Sequence, residues 1–350
     1  MATKKKITQK QLAQELGISQ PLVSMVLNGR REGISETRFN QIWKRAVESG
    51  YSPRGMDITH LQEKSPRTSR EIGILLRRGV KLNLKANFFS HVYQGVHEAA
   101  VKSKTFTVFL GSEDDFADDD SLIDLIADKQ LLGLIILGEI RPDLLFKIKQ
   151  EVGEVVAVSA RYPGFCDYIV GDEDESVEQL VDHLYGLGHR KFGWIGGNLN
   201  LGRHHDRFNA LLLALRKREI LLSEKYCSEV PEGDRIDGRE AMASMLERLG
   251  REDLPTAIIC HNGTMARGAI NFLLHQQINI PQEVSIAAID RTRISCDELP
   301  TITSAGGCPE SMGAAAVDRL LALQDGVDAG ERKQIILKSE LIVRDSTGPV

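Results

Sequence analysis

The spacing of hydrophobic positions divides this chain into three parts. From Ile7 to Gly50 the apolar residues keep the period of short amphipathic helices. Thr8 and Gln11 stand at capping-box spacing, which predicts a helix from Gln9 with Leu12, Ala13 and Leu16 on one face. Gly17 stops it, as glycine does where the backbone turns left-handed. Ser19 caps a second helix, with Pro21 in its first turn and Val23, Val26 and Leu27 facing inward. Ser35 caps a third, carried by Phe39, Ile42, Trp43, Ala46 and Val47 and ended by Gly50. Three short helices, the first two joined by a glycine-containing turn, match a helix-turn-helix unit, whose second helix enters the DNA major groove. A small helical bundle with no DNA role fits the same pattern.

Ser52 to Arg70 has no period. It is polar, with two prolines and several basic residues, and reads as a linker. From Glu71 short apolar runs rich in β-branched residues alternate with stretches of helical period. The first series is EIGILL then Phe88–Lys102, TFTVFL then Ser121–Lys129, GLIIL then Pro142–Glu151, then EVVAVS. The second is DYIVG then Val177–Leu187, KFGWIG then Arg207–Arg218, the region of Tyr226 then Gly238–Leu249, TAIIC then Thr264–Gln276, then EVSIAAI. Such alternation predicts parallel sheets covered by helices on both faces. Two such lobes with a cleft between them form a two-lobed α/β body that shares one ligand site at the carboxyl ends of the strands.

The length of 350 residues suits two or three domains, and the apolar content of 42% suits a globular protein. No apolar run nears the roughly 18 residues that span a bilayer, and the basic start lacks the apolar segment of a secretory signal, so a cytoplasmic location is expected. The five cysteines are scattered and hold no C-x-x-C pair, which predicts buried, reduced thiols. Charge changes the picture more. Residues 1–60 carry ten Lys/Arg against five Asp/Glu, a balance of +5, so the other 290 carry −10 to reach the total of −5. A basic head on an acidic body points to a polyanion-binding head.

The stretch ITQKQLAQELGISQPLVSMVLNG is similar to the N-terminal domain of the lactose-repressor/galactose-repressor (LacI/GalR) family of bacterial transcription regulators. Ile7, Thr8, Leu12, Ala13, Gly17, Ile18, Ser19, Val23, Ser24, Val26, Leu27 and Asn28 stand in register with that family's pattern. The match continues to Gly50, Tyr51, Ser52 and Pro53. The resemblance implies a fold: a small all-α head at 1–53, a hinge at 54–70 and a periplasmic-binding-protein-like body at 71–350. It implies lobe 1 at 71–167 and 304–326, and lobe 2 at 168–303 and 327–350. It also implies roles. Gln20 and Pro21 take the two positions that read base edges, where glutamine pairs with adenine and proline offers apolar contact. Thr8, Ser19, Ser24 and Asn28 fall on phosphate-contacting positions. Met25 replaces the family's usual arginine and Leu22 its threonine, so an unusual operator is expected. Arg30 and Arg31, in a loop one residue longer than usual, are expected on phosphates. In the hinge Leu61 is nominated as the minor-groove wedge; an unstructured tether is the alternative there.

The body carries the resemblance too, in HLYGLGHRKFGWIGG (His183–Gly197), in Pro255–Asp290, and in LPTITS with SMGAAAVDRLLAL. It implies effector contacts at Asn87 and Phe88 on the helix after the first strand, and at Arg207, Asn262 and Asp290. Several positions depart from the family: Gly263 and Arg291 where it has aspartates, Gly307 where it has glutamine, and no aromatic residue before Gly238. Arg161, Arg203, Arg207 and Arg235 are expected to crowd the cleft. Arginines without a stacking ring suit an anionic ligand, so the expected effector is a sugar, sugar acid or sugar phosphate.

SEDDFADDD (Ser112–Asp120) lacks calcium-loop spacing and reads as a solvated loop capping the next helix. RHHD (Arg203–Asp206) reads as a polar cleft edge rather than a metal site. No catalytic motif, metal set or cofactor fingerprint is visible. The chain reads as a DNA-binding repressor that meets a double-stranded palindromic operator as a homodimer, with a small-molecule effector, no cofactor and no membrane partner. A regulator with a degenerate pocket, or a solute-binding protein, are the alternatives. No heptad tail follows the last strand, so a coiled-coil tetramer is not expected.

Overall fold

A computed structural model describes residues 8–27, 33–35, 38–39, 41–42, 45–46, 70–80, 88–199, 202–230, 233–327 and 331–350. The chain divides into two compact units, Met1–Thr68 and Ser69–Val350.

In the first unit, α1 (Gln9–Leu16) begins with the reciprocal capping box that its spacing predicts. Gln11 N donates to Thr8 Oγ1 at 3.3 Å, and Thr8 N donates to Gln11 Oε1 at 2.9 Å. Such a cap stabilises a helix by about 1 kcal/mol. Gly17 closes the helix at φ +64°, a conformation that side-chain-bearing residues resist. Ser19 starts α2 (Gln20–Leu27), its Oγ accepting from Leu22 N at 3.4 Å. Leu12, Ala13, Val23, Val26 and Leu27 pack against Phe39, Ile42 and Ala46 in one small core.

The second unit holds two six-stranded sheets. The first contains β1 (Glu71–Leu76), β2 (Phe106–Ser112), β3 (Gly133–Leu137), β4 (Val155–Val158), β5 (Asp167–Gly171) and β11 (Gln334–Leu337), in the order β11-β5-β4-β3-β1-β2. The second contains β6 (Phe192–Gly196), β7 (Cys227–Glu229), β8 (Ala257–Cys260), β9 (Ser285–Ile289), β10 (Thr303–Gly306) and β12 (Glu340–Ile342), in the order β12-β10-β9-β8-β6-β7. All pairings are parallel except β10 with β12. The central strands are buried along their whole length, as a sheet covered on both faces requires. The covering helices are α3 (Phe88–Lys102), α4 (Asp119–Asp128), α5 (Pro142–Val152), α6 (Glu173–Gly186), α7 (Gly202–Arg216), α8 (Arg235–Leu249), α9 (Gly263–His275) and α11 (Pro309–Gln324), with a short α10 (Ile294–Asp297).

The lobe boundaries differ from those expected. β5 pairs with β4, so DYIVG at 167–171 belongs to the first sheet and the chain crosses after Gly171. β10 pairs with β9, so 303–306 stays in the second sheet, and the return crossing follows Gly306. β11 pairs with β5 and rejoins the first sheet, so 334–337 is not part of the second lobe. A continuous apolar run shows that a strand is buried but not which sheet takes it. Gly307 stands at the crossing. A Cβ there would lie 2.8 Å from Met312 Cε, the movable end of that side chain, and 3.6 Å from Gly171 Cα, so a larger residue has to displace Met312.

The thiols are all free, but only Cys166 and Cys260 are buried. Cys227 and Cys308 are half-buried and Cys296 is exposed, so the expectation of burial fails there. Among the described residues no helix is long and apolar enough to cross a membrane.

Candidate functional site

The head presents one face of α2. Its inward residues belong to the core, while Gln20 and Pro21 are exposed and Met25 is 36% exposed. Ser24 is half-buried. Thr8 and Ser19, expected on phosphates, are exposed and also serve as helix caps. Of the remaining DNA-contact expectations, Asn28, Arg30, Arg31 and Leu61 lie outside the described residues, as does Asn87 of the cleft set.

The cleft lies at the carboxyl ends of the strands, and its polar groups are engaged with one another. The helix α7 begins at Gly202 rather than Arg207, so RHHD is its first turn and not a loop. That start turns His204 inward, 8% exposed, and leaves His205 outside. Among the described residues no group of His, Cys, Asp and Glu is arranged to hold a metal. Arg207 is 2% exposed, and every nitrogen of its guanidinium donates a hydrogen bond. Its Nε donates to Glu173 Oε2 at 2.6 Å and its Nη2 to Oε1 at 3.3 Å. Its Nη1 donates to the carbonyls of His261 at 2.5 Å and Ile289 at 3.2 Å, tying the ends of β8 and β9 together. Arg203 Nε donates to Glu173 Oε1 at 2.8 Å, and its guanidinium lies 4.2 Å from the ring centroid of Phe88 on α3.

Burial alone would raise the Glu173 carboxyl, but Arg207 and Arg203 outweigh it and bring its pKa down to about 2. Burial, with the same two arginines, pushes His204 down to about 3 and His261 well below its ordinary value. The two imidazoles are therefore neutral at physiological pH. Their ring centroids stand 3.7 Å apart, and Nδ1 of each is buried without a hydrogen-bond partner.

Asn262 serves as the N-cap of α9. Its Oδ1 accepts from Met265 N at 2.8 Å and Thr264 Oγ1 at 2.7 Å, and its Nδ2 donates to the Gly233 carbonyl at 2.8 Å. Asp290, 4% exposed and at φ +138°, accepts from Thr292 Oγ1 at 3.2 Å. Burial raises its carboxyl, opposed by Arg207 and Arg203. Holding a non-glycine residue at that φ costs about 1–3 kcal/mol, a strain that clusters at functional sites. A Cβ on Gly263 would lie 2.9 Å from Ile294 Cγ2 and 3.3 Å from Asp290 Oδ1, which explains the missing aspartate there.

Two further contacts cross between the lobes. Gly202 N, at the start of α7, donates to Glu139 Oε2 after β3 at 3.1 Å, and Arg161 after β4 pairs with Asp206 at 3.1 Å. Arg235 forks onto Glu298 at 2.9 and 2.6 Å instead of entering the cleft. Thus the four arginines expected to crowd the cleft each have a carboxylate partner. The cavity between Glu139, Ser159, Arg161, Glu173, Arg203 and Asp206 has only about 80 Å³ of room. Glu173, Glu139 and His261 are cleft residues that the sequence reading does not nominate. An acidic run at a helix start and a histidine after a strand carry no signal of partners many residues away.

Comparison with known proteins places this geometry. A helix-turn-helix family model matches residues 2–35, and a periplasmic binding protein-like domain matches residues 181–347. The chain is 24% identical to the HTH-type transcriptional repressor PurR of Aliivibrio salmonicida, over 97% of this chain and 98% of that protein. It is 26% identical to the HTH-type transcriptional repressor CytR of Escherichia coli strain K12, over 97% of this chain and 96% of that protein. Among solved structures, a CelR–cellobiose complex superposes with a TM-score of 0.71 at 21% identity, covering 97% of this chain and all (100%) of that one. The Lac repressor dimer bound to operator and the anti-inducer ONPF superposes with a TM-score of 0.69 at 19% identity, over 98% and 100%.

Proposed function

Because the chain belongs to the lactose-repressor/galactose-repressor family of transcription regulators, we propose that it is a ligand-responsive repressor that binds a palindromic operator as a homodimer. The observation that carries this reading is the division of α2, whose apolar side is core while Gln20, Pro21 and Met25 point outward. In a major groove Gln20 pairs with adenine, Pro21 and Met25 contact thymine methyls, and Thr8, Ser19, Ser24, Asn28, Arg30 and Arg31 hold phosphates. Leu61 is the minor-groove wedge. One such head covers a half-site, so two on a symmetric dimer read a palindrome. Acting on DNA, the protein works in the cytoplasm, and its task is binding rather than catalysis.

The body supplies the control. A small polar metabolite, a sugar or sugar derivative, enters the cleft beside Phe88, Arg161, Arg203, Arg207, Asn262 and Asp290. With about 80 Å³ of room the lobes must part to admit it. The ligand changes operator affinity only by its differential affinity for the two lobe arrangements. Selection of fragments from the source genome by the full-length protein, at near-physiological salt, tests the reading. A recovered palindrome supports it, and its neighbouring genes give the effector's metabolic context. No sequence above background, with the protein folded and dimeric, contradicts it.

A further inference from the structure

Glu173 stands where a ligand anion would have to stand. A guanidinium binds carboxylate or phosphate by presenting two N–H groups to two oxygens at about 2.7–2.9 Å. Arg207 presents Nε and Nη2 in this way to the two oxygens of Glu173, and Arg203 adds its Nε. Nη1 of Arg207 is spent on the His261 and Ile289 carbonyls. Glu173 is 7% exposed and is the first residue of α6, held in place by the Asp172 cap on Glu175 N at 2.9 Å. It follows directly on the crossing at Gly171 and lines the interlobe cavity.

We propose that Glu173 is a built-in counter-ion that occupies the anion position of the effector cleft, so the site rejects anionic effectors and admits uncharged polar ones. The inference rests on reading this cleft as the effector site. An incoming carboxylate or phosphate must either expel Glu173, which is tethered at its binding distance, or sit beside it, and two carboxylates in one site repel. Of the other cations lining the cavity, Arg161 is paired with Asp206 and Arg203 shares Glu173 with Arg207. Asp290 lies close enough to Arg203 and Arg207 to add a second negative field. Beside Arg207, Nδ1 of His204 and of His261 are among the buried polar atoms without partners. Both rings are neutral, so neither adds a positive charge that would favour an anion.

Thermal unfolding of the full-length protein in inorganic phosphate, against chloride at matched ionic strength, tests the idea. The wild type is expected to show no saturable phosphate-specific shift. Glu173→Ala leaves two buried guanidiniums unmatched and melts lower, and formate or phosphate restores it saturably. Glu173→Gln, which keeps the volume, should bind phosphate about tenfold to a hundredfold more tightly than wild type, the worth of one hydrogen bond to a charged group. A saturable phosphate shift in the wild type overturns the proposal. So does a silent wild type whose two variants gain no anion response. Variants that fold only in formate or phosphate support it, and variants that stay unfolded in both overturn it. Operator selection is read separately, so an anion-binding wild type that still selects a palindrome sinks this inference and leaves the repressor reading standing.

Discussion

The head and the cleft hold their polar side chains in opposite conditions. On α2 the proposed base readers Gln20, Pro21 and Met25 are exposed, while Val23, Val26 and Leu27 are buried in the core. In the cleft Arg207, Asn262 and Asp290 are bonded to the protein itself. The difference follows from the partners. A duplex is a rigid surface that a helix must reach from outside, so its readers stay solvated until contact. A small ligand enters a dry cleft, where an unpaired charge costs far more than it does at a surface. Such a cleft keeps its charges matched internally, and a ligand binds by rearranging that match.

Substitutions that act on one side only sharpen this comparison, and the largest effect belongs in the head core. Leu12 is fully buried, and Leu12→Ala should cost roughly 2–5 kcal/mol. Operator binding should vanish while the body's calorimetric transition stays in place. A body transition that falls in step would break the division into two units. Gln20→Ala is smaller, about 1–3 kcal/mol of operator affinity, confined to operators that carry adenine at the contacted position. Competition against base-substituted operators checks this. An equal loss on every sequence would make Gln20 a phosphate contact.

The cleft answers to pH instead. The folded pKa of His204, about 3, lies below its ordinary 6.5. The unfolded chain therefore takes up a proton as pH falls through that window while the folded chain does not, and stability is lost on acidification. The slope is up to about 1.4 kcal/mol per pH unit for each such group. His204→Gln should remove one proton's worth of that slope in urea unfolding, leaving the share of His261, His183 and His189, which burial also lowers. An unchanged slope would place His204 in contact with water. Smallest of all is the exposed pair of Arg45 with Glu15 at 2.8 Å. Arg45→Ala should shift the head's stability by less than about 0.5 kcal/mol.

The head was legible because its signals are local. Thr8 with Gln11, and Gly17, are capping devices set within a few residues. Strand and helix identities in the body were legible for the same reason, since EIGILL, GLIIL and DYIVG are continuous apolar runs. What stayed hidden depends on contacts between distant residues. Pairing of β5 with β4 and of β11 with β5 decides the lobe boundaries, and no period encodes it. The start of α7 at Gly202 was hidden by a polar first turn, which concealed that His204 faces inward. Arg203 and Arg207 look like free cations in the sequence because Glu173, their shared partner, stands more than a helix away along the chain.

The claim that two heads on one symmetric body read the operator is tested most directly by anisotropy titration of the selected palindrome. The titration is repeated after about five base pairs, half a helical turn, are inserted between its half-sites. The account predicts that the insertion abolishes specific binding, because the second head then faces the wrong side of the duplex. Unchanged affinity would mean that each head binds alone and that the body's symmetry plays no part in recognition.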